Sequence, residues 1–357
     1  NLSHELRMSA VRKLFNVLTN MKDMLHFFTH RILTAFATTA ALLSFTCTSP
    51  LAAETDTDKT PAGGIQKSDS AGNTAAHEQQ QEQQHERQQH ISEFSVLHQY
   101  AQIASDTYLP DNELAAQLEN QQQTLIHQSL IADHQVSYFL AEANGIQTIA
   151  IRGTANLTNV MVDLSVNLEA DEALGITLHK GFRSAASAVY QDVKPYLKTD
   201  KPLIITGHSL GGAIAVVLAM YCQQDGHPAS RVITFGQPKV TNVTGANTYA
   251  DIPLTRVVTE KDLVPLVPPL SPLQIKNMDI YWHIGSEIIL LNDQQYSQTQ
   301  GLKSMLRATK SMTAIPGEEN LNAHKISTYI DQLSNLRNQA EEIPYQTNIN
   351  LFGFSLD

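Results

Sequence analysis

The stretch PLIITGHSLGGAIAV, residues 202–216, constrains the fold more than any other part of the chain. A short apolar run meets a glycine-flanked serine and passes straight into LGGAIAVVLAMYCQQ, which ends near Gly226. The pattern reads as a buried strand, a turn at Gly207–Gly211 and a long buried helix. A strand and helix joined this tightly imply a parallel sheet with helices packed on it. The serine at the turn, Ser209, is also a candidate nucleophile. The pattern G-x-S-x-G alone is weak, since with Gly and Ser each near ~0.07 of residues chance supplies it in roughly one chain in ten of this length. The rest of the chain must decide.

That rest alternates in the same manner. Leu97, Tyr100, Ala101, Ala104 and Tyr108 follow helical spacing, and Pro110 lies just past the end. VSYFLAEANGIQTIAIRGT reads as a hairpin closed by Asn144-Gly145, the pair suited to a type I′ turn. HKGFRSAASAVYQDVKPYL reads as a helix with Phe182, Ala186, Val189 and Val193 on one face. RVITFG, LTRVVT and YWHIGSEIILL read as strands, and AHKISTYIDQLSNLRNQ as a late helix. The expected fold is α/β, a mostly parallel central sheet with helices on both faces, in one domain over residues 91–340. The tail 341–357, with TNINLFGFSLD, is expected to add an edge strand.

The flanks carry different signals. Residues 1–53 read as a leader with a secretory signal: Lys22 and Arg31 precede the apolar run Ile32–Phe45, and SPLAAE offers a cleavage site after Ala53. Its 14 residues are short for a membrane span. Residues 54–90, with HEQQQEQQHERQQH, lack the large apolar side chains a core needs and read as a solvated linker. Cleavage after Ala53 removes Cys47 and leaves Cys222 alone, with no intrachain disulfide. The net charge of −11 combines +3 in residues 1–53 with about −14 beyond, which gives no electrostatic footprint for nucleic acid or anionic membranes.

A serine hydroxyl needs a base within hydrogen-bond reach, and the base needs an acid to fix its tautomer. After a serine on a strand–turn–helix, the partners come in the order acid, then histidine, on later loops. RVVTEKDLVPLVPP places Asp262 just past a strand, ahead of prolines that stiffen the loop, with Glu260 and Asp251 as competitors. The histidines that follow are His283, inside an apparent strand, and His324, at the opening of the last helix after a polar loop. His324 is the preferred base; His179 and His208 read as structural. The oxyanion hole needs two donors. The backbone N–H of Leu210 and the N–H and hydroxyl of Thr154, after the strand IAIRGT, are the candidates.

IAIRGT, LHKGF, ITGHSLGGAIA, TFGQPKVTN, RVVTEKDLVPLVPP, YWHIGSEI and AHKISTY stand in one order between Tyr100 and Tyr329. Jointly they resemble the class 3, fungal-type triacylglycerol lipases of the α/β-hydrolase fold. The resemblance implies Ser209, Asp262 and His324 as nucleophile, acid and base, and Thr154 with Leu210 as the hole. It implies an acyl-ester lipid substrate, with phospholipase A1, other esterase and acyltransferase activities in the same chemistry and a non-catalytic lipid binder as a rival. It also implies a lid. NLTNVMVDLSVNL places Leu157, Val160, Met161, Leu164 and Leu168 on one helical stripe, and family members often carry tryptophan where this chain has Val160. Asp163 matches a family aspartate that supports the hole. No metal or organic cofactor is implied, and the zinc signature H-E-x-x-H is absent.

Overall fold

A computed structural model describes residues 92–154, 168–269, 272–277, 279–301, 304, 307, 317–345, 350–351 and 354–355. All of them fall within one compact unit, residues 69–357. The leader, the linker, the lid candidates Leu157, Val160, Met161 and Leu164, and Asp163 lie outside the described residues.

The chain opens with helices α1 (92–106) and α2 (Asp111–Asn120). Strands β1 (Thr124–Ile131), β2 (Val136–Ala143) and β3 (Ile146–Ile151) follow as an antiparallel meander. The β2–β3 hairpin turns at Asn144 and Gly145, both at positive φ, as its sequence predicts. A separate four-stranded sheet includes β4 (Leu168–Asp171) and β5 (Ile176–His179). Leu168 therefore opens a strand, and the helical stripe read from Leu157 does not reach it.

Helix α3 (Lys180–Val193) matches the amphipathic reading but stops early, because Pro195 takes the chain into a 3₁₀ turn. Then come β6 (Leu203–His208) and α4 (Leu210–Gln224), with Ser209 as the single joint between them. Further on lie β7 (Arg231–Phe235), β8 (Thr241–Asn242), helix α5 (Val243–Thr248), β9 (Leu254–Thr259) and helix α6 (Pro272–Asn277). After them lie β10 (Tyr281–Trp282), β11 (Ser286–Leu290) and β12 (Gln295–Gln300). Helices α7 (Glu318–Ala323) and α8 (Ile326–Leu336) precede β13 (Glu341–Glu342).

The main sheet runs β1-β2-β3-β6-β7-β9-β11-β12-β13. From β3 through β11 every neighbouring pair is parallel. Period-two alternation divides its apolar side chains. Leu140, Ile149, Ile151, Leu203, Ile205 and Val232 join the core of α3 and α4. Phe139, Ala150, Ile204, Ile233, Val257 and Ile288 join the core of α1, α2 and α8 on the other face. This is the expected α/β arrangement.

Three readings are corrected. YWHIGSEIILL is two strands in two sheets. β10 pairs with β8, and β11 pairs with β9, with the break at Gly285 (φ 71°). A Cβ there would lie 2.3 Å from the Leu254 carbonyl oxygen, so glycine lets the chain cross closely into the main sheet. The polar run before His324 is largely helix α7, so His324 sits between two helices. The tail's edge strand is Glu341–Glu342, paired with β12. The stretch Asn350–Leu351 pairs only with Phe354–Ser355, among the described residues.

Candidate active site

Ser209 joins β6 to α4 with φ 59° and ψ −128°, a backbone conformation that side chains other than glycine rarely adopt. Two glycines make the sharp turn possible. A Cβ on Gly207 would lie 2.5 Å from the Gly211 carbonyl, and one on Gly211 would lie 2.2 Å from the Ile151 carbonyl oxygen. Closing β6 onto α4 leaves no room for the first, and the close passage of the end of β3 leaves none for the second. The Ser209 N–H donates to the Phe235 carbonyl at 2.8 Å, which ties the strained residue to the end of β7.

Asp262 follows β9 in a tight turn. Its N–H donates to the Thr259 carbonyl at 3.2 Å, and its Oδ1 accepts from the Val264 N–H at 2.8 Å. His324 caps the end of α7. That helix is tied to the acid's turn by Asn320 Nδ2 donating to Lys261 O at 2.8 Å and Thr259 Oγ1 donating to Ala323 O at 2.9 Å. These contacts bring together residues far apart in sequence. His324 Nδ1 lies 2.7 Å from Asp262 Oδ2, and His324 Nε2 lies 2.8 Å from Ser209 Oγ. The carboxylate accepts from Nδ1–H, so Nε2 is left to accept the serine proton. All three side chains are buried.

Burial by itself would push the Asp262 carboxyl up. The facing His324 and hydrogen bonds from His324, Tyr329 and the Val264 N–H outweigh it and hold the group below the ordinary carboxylate value. The site thus keeps an ionised carboxylate against the ring of His324.

Three further residues support the acid and base, and one of them, His208, already reads as structural in the sequence. Tyr329 Oη donates to Asp262 Oδ2 at 2.5 Å and accepts from the Thr259 N–H at 3.4 Å. Gly236 (φ 60°) backs the acid and base, since a Cβ there would lie 2.8 Å from His324 Cε1 and 2.9 Å from Asp262 Oδ2. His208 Nε2–H donates to the His324 carbonyl at 2.7 Å, while its Nδ1 accepts from Tyr108 Oη at 2.9 Å. Burial, then the charge of His324, pushes the His208 imidazole down to about 3. For the other two, the sequence signals are the glycine in TFGQP and a tyrosine five residues past the base.

Leu210 is the first residue of α4, so its N–H points out of the helix N-terminus beside Ser209. A Cβ on Gly153 would lie 3.1 Å from Ser209 Cβ, so the chain passes close to the serine immediately before Thr154, which is exposed. The competing candidates lie elsewhere in the contact network. The Glu260 N–H bonds Leu290 O, Asp251 is exposed in the turn before β9, and the His179 ring stacks on Phe182 at 4.2 Å. His283 donates to the Pro265 carbonyl. Among the described residues no group of three or more His, Cys, Asp or Glu is placed to hold a metal ion, and no helix is long and apolar enough to cross a membrane.

Residues 148–271 match the family described as Lipase (class 3), the family that the sequence blocks resemble. Secreted mono- and diacylglycerol lipase 1 of Fusarium solani is 34% identical over 161 residues, which cover 43% of this chain and 47% of that protein. A lipase of Rhizomucor miehei is 32% identical over 147 residues, which cover 38% of this chain and 40% of that protein. The chain thus matches less than half the length of either relative. Lipase II of Rhizopus niveus aligns structurally over 56% of this chain and 80% of that one, at 24% identity and a TM-score of 0.48.

Proposed function

We propose that this chain, whose residues 148–271 carry the class 3 lipase signature, is a serine carboxylic-ester hydrolase, a lipase that cleaves triacylglycerol or related acyl esters. The observation that carries the reading is the hydrogen-bonded line Ser209–His324–Asp262, with its serine on a strained strand-to-helix turn.

Ser209 Oγ attacks the ester carbonyl while His324 Nε2 takes its proton. The carbonyl π pair moves to oxygen, and the N–H groups of Leu210 and Thr154 receive that charge. The tetrahedral intermediate collapses, the C–O bond to the alcohol breaks, and His324 returns its proton to the departing oxygen. Water then gives a proton to His324 and attacks the acyl carbonyl; the bond to Ser209 Oγ breaks, His324 returns the proton to Oγ, and the fatty acid leaves. Asp262 stabilises the imidazolium in both halves without taking its proton. Leu157, Val160, Met161 and Leu164 are proposed as the acyl-facing side of a lid, with Asp163 supporting the hole. The leader over residues 1–53 supports a secreted or periplasmic location.

A chain-length series of p-nitrophenyl esters and triglycerides, run with the wild type and Ser209→Ala, tests the reading. Wild-type turnover with a loss on the order of 10⁶ in kcat for the variant supports it. Near-normal hydrolysis by Ser209→Ala removes the mechanism. Absence of hydrolysis at every chain length in the wild type leaves a lipid binder.

A further inference from the structure

The loop that carries the acid, DLVPLVPP, spans residues 262–269 and holds three prolines, Pro265, Pro268 and Pro269. Proline brings no N–H, so such a segment cannot enter a sheet ladder, yet its carbonyls still need donors wherever water is shut out. They find them on other elements. Pro265 O accepts from His283 Nε2 at 2.7 Å. Leu266 O and Pro268 O accept from Lys239 Nζ at 2.6 and 2.9 Å. Val267 O accepts from the Lys239 N–H at 3.0 Å, and Pro269 O accepts from Gln274 Nε2 at 3.0 Å. Five consecutive carbonyls are held from outside, three of them by one residue.

Lys239 is an improbable choice on electrostatic grounds. It is 3% exposed and close to two other buried cations, Arg256 and Arg307. Burial, then the charges of Arg307 and Arg256, pushes its amine down to about 7, against the pull of Glu287. A side chain kept there must supply what an apolar one cannot. It supplies two N–H donors to Leu266 and Pro268, and a neutral amine keeps two. The surrounding cluster holds the second clamp in place. Arg256 NH1 and Arg307 NH2 pair with Glu287 Oε1 at 3.2 and 2.9 Å, while Arg256 Nε donates to the carbonyl of Ile284, next to His283.

We propose that Lys239 and His283 are positioning residues that grip the proline-rich loop by its carbonyls and thereby fix Asp262 against His324. The inference rests on the serine-hydrolase reading given above. Neither side chain touches the reacting atoms; each acts through the acid.

The test uses the full chain and p-nitrophenyl butyrate, with Lys239→Met, His283→Leu, His283→Gln and Asp262→Asn, singly and with each clamp substitution combined with Asp262→Asn. Lys239→Met and His283→Leu are each expected to lower kcat about 10- to 100-fold with KM little changed, since a small misplacement of a catalytic group has effects of that size. On the Asp262→Asn background the same substitutions should change kcat by less than about twofold, because residues acting as a unit are non-additive. His283→Gln, whose amide N–H can meet the same carbonyl, should recover most of what His283→Leu loses. If Lys239→Met does not fold, the His283 pair carries the test. A lowered Tm with kcat intact, or a loss that multiplies in full on Asp262→Asn, overturns the clamp. Ser209→Ala run alongside separates the failures: activity surviving there overturns the hydrolase reading itself.

Discussion

The two halves of the site are held in different ways. Ser209 is held chiefly by its immediate neighbours, a buried strand, a long helix and two glycines where any Cβ would strike backbone, with one added tie to the Phe235 carbonyl. Asp262 has a local turn of its own, but its alignment with His324 depends on groups distant in sequence. Tyr329, 67 residues from the acid, bonds its carboxylate, and the base lies 115 residues past the serine it serves. One half is built by chain geometry and the other by side chains that meet only after folding. The first should therefore fail through backbone strain, and the second through loss of particular hydrogen bonds.

The largest effect within this contrast is expected from Asp262→Asn. The shape survives while the imidazole loses its orienting anion, and kcat should fall on the order of 10⁴ with the fold unchanged by circular dichroism. An unfolded variant would mean that the acid holds the structure as well as the base. Gly211→Ala should behave in the opposite way. The new methyl meets the Ile151 carbonyl, and overpacking of this kind is worth about 3 kcal/mol of stability, read as a lower urea midpoint. An unchanged midpoint would show that the turn relaxes without strain.

Tyr329→Phe is the gentlest change and works through pH. The Asp262 carboxyl sits below its ordinary value, so its contribution to stability is present above the unfolded-state value and is lost as pH falls through the folded one. Removing the Tyr329 hydroxyl raises the folded value and narrows that window. Stability at neutral pH should drop by about 1 to 2 kcal/mol. The acid-unfolding midpoint should also move to higher pH. An unmoved acid midpoint would mean that the other donors suffice.

The same contrast explains what could be read in advance. The β6–Ser209–α4 unit is legible locally: an apolar run, glycines at the turn and an uninterrupted apolar helix mark it within one stretch of sequence. The order of the candidate acid and base is legible because topology fixes it, and His324 meets both Asp262 and Ser209. The reading failed where sequence pattern and tertiary contact part. YWHIGSEIILL looks like one strand because both halves are apolar, and only the partners available to Tyr281 and Ser286 divide it between two sheets. Helix α7 buries no side chain, so its sequence shows no apolar stripe and resembles a loop. Lys239 and His283 gave no signal of their work, since what they bind is backbone, and a carbonyl leaves no trace in a residue code.

His208 lies beside the base with ring centroids 4.7 Å apart, so the site holds two imidazoles. Two neighbouring bases could share the serine proton between them and blur which one returns it to the leaving group. His208 cannot take part. Tyr108 fills its one acceptor and the His324 backbone receives its one donor, so both nitrogens are already engaged. In the proposed reaction the ring is a wall closed to protons, and the traffic of each half-reaction runs on a single track.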